Sequence, residues 1–341
     1  MSVLKKIPFR FGRSGAPILL SSAVLLSAAG GLSAAELPDP YTTANRNPFV
    51  QIYGLPEAES ARLVAPGKSR FGLQVDISND FSVNTKADEG VMIDGETHRA
   101  ELQWRQGVAS GWELGLNLPF LSQRGGGLDS FIENWHDWFG MPDGDRPAYP
   151  RNKIRFAYRK SGHQLFVVDQ PQEGIGDVSL SAAYQLSDST TRQWALRGQL
   201  KLPTGDADGL LGSGSTDVAL ALHVSDEGWG SGITLHGSLG AMWMSDGDVL
   251  DYVRNDWVAF GSGTLAWRSS ERTTLKLQLD VHSAFYDSNL TELGKDSAQL
   301  TLGGAVRLSD KWTLDLGLSE DIIVDTAPDV VFVIGIKGGD F

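Results

Sequence analysis

The sequence contains no cysteine, has more acidic than basic residues, and carries only one long apolar run, at its N-terminus. Without cysteine there is no disulfide, no thiolate metal ligand, no cysteine nucleophile and no cysteine for lipid attachment. The formal net charge of −13 makes nucleic acid a poor partner, because phosphate binding needs an excess of lysine and arginine. We therefore expect no nucleic-acid partner.

The apolar run has the features of an export signal. Lys5, Lys6, Arg10 and Arg13 precede "APILLSSAVLLSAAGGL", and the small residues "SAA" follow it. A basic start, an apolar centre and a small-residue cleavage site are typical of a bacterial secretory signal peptide, which we predict over residues 1–35. An uncleaved membrane anchor is the alternative. Cleavage would remove four basic and no acidic residues and change the formal charge from −13 to −17.

No other segment approaches the ~20 apolar residues that a transmembrane helix needs. From about residue 70 onward, however, apolar and polar residues alternate in segments of roughly ten residues, the length of a tilted membrane-spanning strand. In "RAELQWRQ", for example, Ala100, Leu102 and Trp104 share one face. About twelve such segments occur, and bacterial barrels have even strand numbers. We predict an all-β fold, an antiparallel transmembrane β-barrel of about 12 strands over residues 69–341.

Turn lengths and aromatic residues support the same fold. Short connections such as "GVASG", "SDSTT", "RSSER" and "SDK" alternate with long ones, as periplasmic turns and external loops do. A soluble β-sandwich would also alternate along its strands, but it would not sort aromatic residues by turn length. Two predicted girdles result, Trp104, Trp112, Trp194, Trp267 and Trp312 beside short turns, and Phe81, Phe120, Trp243, Trp257 and Phe285 beside long ones.

The chain ends in Phe341, and a terminal aromatic residue is typical of strands that the barrel-insertion machinery recognises. We expect that machinery, outer-membrane lipid and lipopolysaccharide as partners. Counting back by twos from Phe341 gives Gly339 and Lys337 where apolar residues are usual. A bulge at Gly338 and Gly339 would restore the alternation.

One stretch, "LDSFIENWHDWFGMP", has the period of a helix instead. Ser130 and Glu133 form a capping box, and Gly140 marks the end of the predicted helix at 130–140. The helix lies in a long predicted extracellular loop, 122–174, that also holds a predicted hairpin at 153–169. Its lid residues are Phe131, Glu133, Trp135, His136, Asp137 and Trp138.

So short a helix must pack against something. Its acidic face suits an anionic lipopolysaccharide surface poorly, because interfacial helices generally carry a basic face. We expect helix and hairpin to form a lid over the barrel mouth or a constriction folded into it. A structural cap with no gating role is the alternative.

The segment 36–68 precedes the first predicted strand. It is either a loose periplasmic segment or a plug inside the barrel. Its "NPFVQIYGLP" is too apolar for a free linker, so we favour docking.

Five stretches carry a resemblance to a known family: "NRNPFVQIYGLP", "DISNDF", "GETHRAELQWRQG", "LDSFIENWHDWFGMP" and "GIGDVSLSAAYQL". Across most of residues 45–341 the sequence resembles an uncharacterised family of Gram-negative outer-membrane proteins, a domain of unknown function. "GIGDVSL", "KLPTGD" and "GSGSTDVAL" are also similar to putative outer-membrane channels associated with aromatic-compound degradation. The resemblance implies an outer-membrane barrel and transfers no catalytic or ligand residue.

The predicted strand faces that point away from lipid carry charges of both signs. Such charges either line a water-filled pore or cross-link a filled interior, and both interpretations remain open. A barrel of about twelve strands is intermediate between packed and open ones. The predicted lumen-lining residues are Arg99, Glu101, Arg105, Glu113, Arg197, Lys201, Lys276, Asp280, His282, Arg307 and Asp315.

We predict a narrow passive channel for small molecules in the bacterial outer membrane. A plugged, non-conducting structural or assembly-linked barrel is the first alternative, and a lipid-modifying hydrolase is the second. His236 with Ser238 and His282 with Ser283 are candidate catalytic pairs, but the pattern places both histidines in the lumen, away from lipid. We expect no catalytic residue, cofactor or resident metal, since "TGDADG" lacks the terminal Glu of a calcium loop.

Overall fold

The protein, in a computed structural model that describes residues 38–130, 138 and 148–339, is a closed ring of antiparallel strands. The predicted signal peptide and Phe341 lie outside the described residues. The strands are β1 (Ser69–Lys86), β2 (Glu89–Ala109), β3 (Trp112–Arg124), β4 (Arg155–Lys160), β5 (His163–Val168), β6 (Gln172–Ile175), β7 (Val178–Asp188), β8 (Arg192–Leu202), β9 (Asp217–Asp226), β10 (Ile233–Met244), β11 (Trp257–Arg268), β12 (Thr273–His282), β13 (Ser297–Arg307), β14 (Trp312–Asp321) and β15 (Val330–Gly339).

Twelve of these strands form the barrel wall, which confirms the predicted fold. β1 pairs with β2 on one side and with β15 on the other, so the ring closes. β6 and β7 both pair with β3 and make one wall strand that is interrupted at Gly176 and Asp177. Closure leaves no strand edge in the wall, which a membrane interior requires. β15 keeps a continuous register against β1 up to Gly339, without the bulge that the sequence suggested.

β1 and β2 are much longer than the predicted strands. They contain 18 and 21 residues and meet at a tight turn around Ala87 and Asp88. The hairpin of β4 and β5 pairs with the first residues of β2, so the sheet continues beyond the ring at this point. Sequence alternation does not reveal this extension, because both faces of the sheet carry polar residues where neither faces lipid.

The outer face of the wall is apolar. Leu239 is 72% exposed and Leu302 is 54% exposed, whereas Glu101, on the inner face, is 2% exposed. Exposed apolar side chains at alternate positions along the wall strands suit a lipid environment. None of the helices in the described ranges combines the length and the apolar character that a membrane crossing would need.

The two ends of the barrel differ. At the short-turn end, tight connections join β2 to β3, β7 to β8, β9 to β10, β11 to β12 and β13 to β14. At the long-loop end, the connection between β10 and β11 contains a 3-10 turn, Asp251–Val253, and the one between β12 and β13 contains a short helix, Thr291–Gly294. Loop residues at that end are largely buried, so the loops fold over the barrel rather than away from it.

Substitution on the outer face tests the membrane assignment. Leu277 lies in mid-strand opposite Leu265 and Leu302, and Leu277→Arg should lower the free energy of unfolding by about 2–4 kcal/mol in lipid vesicles. Leu308→Arg is the matched control, because Leu308 lies in a turn at the membrane boundary and should cost about 0–1 kcal/mol. Urea-induced unfolding measures both. Equal costs would argue against a lipid-facing wall.

Candidate functional site

Residues 38–68 occupy the barrel lumen as a hairpin, and we call this segment the plug. Its start lies at the short-turn end, where the Pro38 carbonyl is 2.8 Å from Nε2 of His236. Its end returns there, where the Gly67 amide donates to the Gly107 carbonyl at 2.8 Å. Between these points the chain reaches the long-loop end and turns around residues 47–53, where the Val50 and Gln51 amides donate to the Asn47 carbonyl.

The tip of the plug packs into a cluster of long-loop residues, which we call the apolar cap. Phe49 meets Phe166 of the β4–β5 hairpin edge to face, with ring centroids 6.0 Å apart. Tyr53 stacks on Phe285 at 5.3 Å. The Tyr286 hydroxyl donates to the Phe49 carbonyl at 2.7 Å. The cap also contains Val50, Ile52, Val91, Ile93, Ile154, Phe156, Tyr158, Val168, Leu210, Met242, Met244, Val249, Leu250, Val253, Val258, Phe260, Leu290 and Leu293.

Below the cap, polar contacts join the plug to opposite sides of the wall. The Tyr41 amide donates to Oε1 of Gln278 on β12 at 2.8 Å. The Thr43 hydroxyl donates to Asp76 on β1 at 3.0 Å, and Nδ2 of Asn45 lies 2.9 Å from Nε2 of His282. Because buried polar groups need partners, the plug satisfies wall groups that an empty lumen would leave to water.

Lys201 is the centre of a buried ion cluster on this wall. Its ammonium lies 2.8 Å from Asp177 and 3.0 Å from Asp217, and it also donates to Ser213. Asp217 in turn accepts a hydrogen bond from the Gly54 amide of the plug at 2.7 Å. A side chain at Gly54 would bring a Cβ within 2.8 Å of the Lys201 Cβ, so only glycine allows this close approach.

Two arginines hold the returning half of the plug. Arg46 is itself a plug residue and bridges Glu57 at 2.5 Å and Asp76 at 2.6 Å. On the wall, Arg105 lies 2.8 Å from Glu59.

Glu57 and Glu59 of the plug differ in their ionisation, although they are two residues apart. Burial and the neighbouring Glu101 carboxylate raise the pKa of Glu57 to about 8, with Arg46 opposing them. Burial would also raise the pKa of Glu59, but Arg105 and Arg197 outweigh burial and hold it well below its usual range. Glu59 therefore stays charged at neutral pH, whereas Glu57 takes up a proton at a pH close to neutral.

All the predicted lumen-lining residues lie on the inner face, and most take part in ion pairs or hydrogen bonds there. The pairs are Arg99 with Glu101 at 2.5 Å, Arg197 with Glu113 at 2.9 Å, Lys276 with Asp315 at 2.6 Å, and those of Arg105 and Lys201 above. Asp280 accepts a hydrogen bond from Gln278 at 2.9 Å. Arg307 lies half-buried at the short-turn end of β13. Their role as a pore lining remains a prediction.

Sequence reasoning missed the partners of these residues. Asp76 sits on the inner face of β1 by simple alternation and was within reach of the pattern. Arg46, Glu57 and Glu59 lie in a segment without period two or 3.6, so no sequence signal marked them as lumen residues.

The lid-helix residues Phe131, Glu133, Trp135, His136 and Asp137 lie outside the described residues. Trp138 is described and is 78% exposed. Of the predicted loop, the structure describes the hairpin of β4 and β5, which contributes Phe156, Tyr158 and Val168 to the apolar cap.

The candidate hydrolase pairs do not form in the structure. Nδ1 of His236 lies 2.8 Å from the Ser225 hydroxyl, while Ser238 pairs with Ser262 at 2.7 Å. Nδ1 of His282 faces the Ser283 carbonyl rather than its hydroxyl. Ser225 is fully buried beneath the plug, where its hydroxyl accepts from the Ala61 amide at 2.9 Å. Within the described ranges, no group of three or more His, Asp or Glu side chains is arranged to hold a metal ion.

Several solved structures are similar to this chain. The COG4313 outer membrane channel from Pseudomonas putida F1 has a TM-score of 0.55 at 14% identity, over 82% of this chain and 98% of that one. Identity this low shows a shared fold alone. Two further structures are less similar to this chain. The KdgM porin in complex with disordered oligogalacturonate has a TM-score of 0.41 at 8% identity, over 80% of this chain and 99% of that one. The CymD monoaromatic hydrocarbon channel has a TM-score of 0.39 at 11% identity, over 81% of this chain and 89% of that one.

Within this fold class the chain belongs to the family described as "Protein of unknown function (DUF3187)", which matches residues 18–339. The match confirms the resemblance to an uncharacterised family that the sequence suggested. No curated protein matches the sequence.

The two plug glutamates give a matched test of the ion network. At pH 4, Glu57→Gln should change the free energy of unfolding little, because Glu57 is then protonated in the folded protein and largely protonated in the unfolded chain. Glu59→Gln should cost about 3–5 kcal/mol at the same pH, because it leaves Arg105 without its buried carboxylate and takes one of two carboxylates from Arg197. Urea titration of the folded protein in vesicles measures both.

The pH profile separates the two variants further. The folded protein holds the Glu57 proton up to about pH 8, whereas the unfolded chain releases it at lower pH. The native protein should therefore lose stability between about pH 4.5 and pH 8, and Glu57→Gln should lose less. Parallel profiles for the native protein and Glu57→Gln would contradict the raised pKa.

Proposed function

We propose that this protein is an outer-membrane channel for small solutes, closed at rest by its own N-terminal plug. The observation that carries the proposal is a closed barrel with an apolar outer face whose charged inner face meets a separate polar segment. A structural barrel has no need of a lumen wide enough to hold a second segment.

The orientation follows from the turns. Short turns face the periplasm in outer-membrane barrels, and long loops face the exterior. We place both ends of the plug on the periplasmic side, after a signal peptide over residues 1–35 that directs export. The long-loop end then meets lipopolysaccharide, and Phe341 is the contact for the insertion machinery.

The plug can move without opening the ring. In the described residues it contributes a single isolated bridge, Pro66 with Gly107, to the wall's ladders. Its other polar contacts with the wall are individual hydrogen bonds and ion pairs, made by backbone amides such as those of Tyr41 and Gly54 and by side chains such as that of Arg46. Exchanging these pairs for water costs far less than breaking a strand ladder, so displacement of the plug is the least costly route to an open lumen.

We further propose that the hairpin of β4 and β5, with the helix predicted at 130–140, acts as the extracellular lid. The hairpin closes over the tip of the plug through Phe166 and Phe156. Lid and plug therefore share one apolar contact surface, and movement of either one exposes the other.

A plugged, non-conducting barrel is the competing function. The apolar cap favours it, because burial of Phe49, Ile52 and Tyr53 holds the tip of the plug firmly. We do not propose a lipid hydrolase, since Ser225 and His236 are buried under the plug and away from the lipid-facing surface.

A reversible lock distinguishes a channel from a permanent plug. The Ser60 hydroxyl of the plug lies 3.3 Å from that of Ser225 on β9, and the native chain has no cysteine. In planar bilayers, the Ser60→Cys, Ser225→Cys variant should show discrete openings when reduced and none when oxidised. Gly54→Leu, which pushes the plug off Lys201, should increase the openings of the otherwise native protein.

The control is a pair of cysteines that joins two wall strands and does not involve the plug. The hydroxyls of Ser238 and Ser262 lie 2.7 Å apart on β10 and β11, so a Ser238→Cys, Ser262→Cys variant should conduct in both redox states. Silence from the native protein, from the reduced locks and from Gly54→Leu would contradict the channel and leave the structural barrel.

A further inference from the structure

The lumen is not completely filled. Between the plug and the wall strands β2, β3, β7 and β8 lies a small cavity, lined by Gln51 and Glu57 from the plug and by Arg99, Asn117, Gln199 and Lys201 from the wall, among others. Almost all the side chains around it are polar.

Gln51 is the unusual member of this lining. It lies between Val50 and Ile52 in the apolar tip of the plug and is 6% exposed. Among the described residues, neither the oxygen nor the nitrogen of its side-chain amide has a hydrogen-bond partner. A buried amide without partners costs about 1–3 kcal/mol for each unsatisfied group, so its place in the cavity wall points to an occupant that bonds to it.

The charges around the cavity indicate which occupant. Arg46 pairs with Glu57, Arg99 with Glu101, and Lys201 with Asp177, so cations and carboxylates neutralise one another. Protonation of Glu57 changes the net charge of the cavity lining by one unit only. A charged solute would have to break one of these pairs, whereas a neutral solute with hydroxyl groups can bond to the free amide.

We infer that this cavity is a binding site for a small, uncharged, polyhydroxylated solute, a sugar or polyol, with Gln51 as its recognition residue. The inference rests on the proposed channel function and names the solute class for that channel. An aromatic hydrocarbon would leave the Gln51 amide and the surrounding hydrogen-bonding groups unpaired.

A second small cavity lies between the site and the periplasmic side. It is lined at the short-turn end by Arg70, Gln103 and Arg105. Arg99 and Glu101 of β2 line the first cavity, and Gln103 and Arg105 line the second, so the two follow one another along the inner face of a single strand. Between them, Nε2 of Gln103 donates to Glu57 at 3.0 Å and to Glu101 at 3.1 Å.

Binding of arabinose to the folded protein tests the inference. At low millimolar concentration, arabinose should raise the unfolding temperature of the native barrel in a saturable way. Gln51→Leu keeps the size and apolar contacts of the side chain and should need about tenfold more arabinose, since a loss of about 1.4 kcal/mol corresponds to tenfold in affinity. Gln123→Leu is the matched control, a buried glutamine of the wall whose amide donates to the Leu210 carbonyl, outside this cavity.

Benzyl alcohol serves as the comparison probe. The inference is overturned if arabinose gives no saturable shift, if Gln51→Leu responds like Gln123→Leu, or if benzyl alcohol gives the larger Gln51-dependent shift. Conductance measured on the same preparations separates the two claims. Openings without arabinose binding overturn the solute site and leave the channel function standing. Gln51-dependent binding without openings leaves the solute site standing and overturns the channel function.

Discussion

The pairing of β1 with β15 is the interaction on which the rest of the structure depends. It runs in continuous register from Arg70 opposite Gly339 to Asn79 opposite Val330 and joins the two ends of the chain. Without it, two strands would present unpaired backbone groups, which lipid cannot satisfy. The same pairing encloses the lumen, so polar groups on the inner face of every strand are buried and need hydrogen-bond partners. The closed ring alone does not supply all of these partners.

A separate segment supplies the remaining partners and completes the polar interior. A ring of twelve strands is wider than its own side chains fill easily, which leaves buried groups such as Asp76 and Gln278 in need of partners. The plug supplies Thr43 and Arg46 to the first and the Tyr41 amide to the second. Most apolar packing lies at the long-loop end, so polar contacts hold the plug in the lower part of the lumen and hydrophobic burial holds its tip.

The alternation of residues was sufficient to predict the barrel and the inner position of residues such as Glu101 and Lys276, because lipid outside and polar lumen inside impose period two. The alternation was not sufficient in segments that do not separate lipid from the lumen. The outer halves of β1 and β2, around Asn84 and Met92, stand beyond the lipid and lose the pattern although they remain paired. The plug contacts were beyond reach for a different reason, since they join positions such as Asn45 and His282, which lie 237 residues apart, through geometry alone.

The hairpin shape of the plug has a consequence for assembly. Tyr41 bonds to Gln278, and Lys337 donates to the Pro40 carbonyl at 3.0 Å, so a segment that is made before the wall strands binds strands that are made late. Both arms of the plug emerge at the same end, which lets it enter a ring that has already closed, without threading a terminus through it. The plug can therefore complete its native contacts only after β12 and β15 have formed, and until then its aromatic tip lacks the apolar cap.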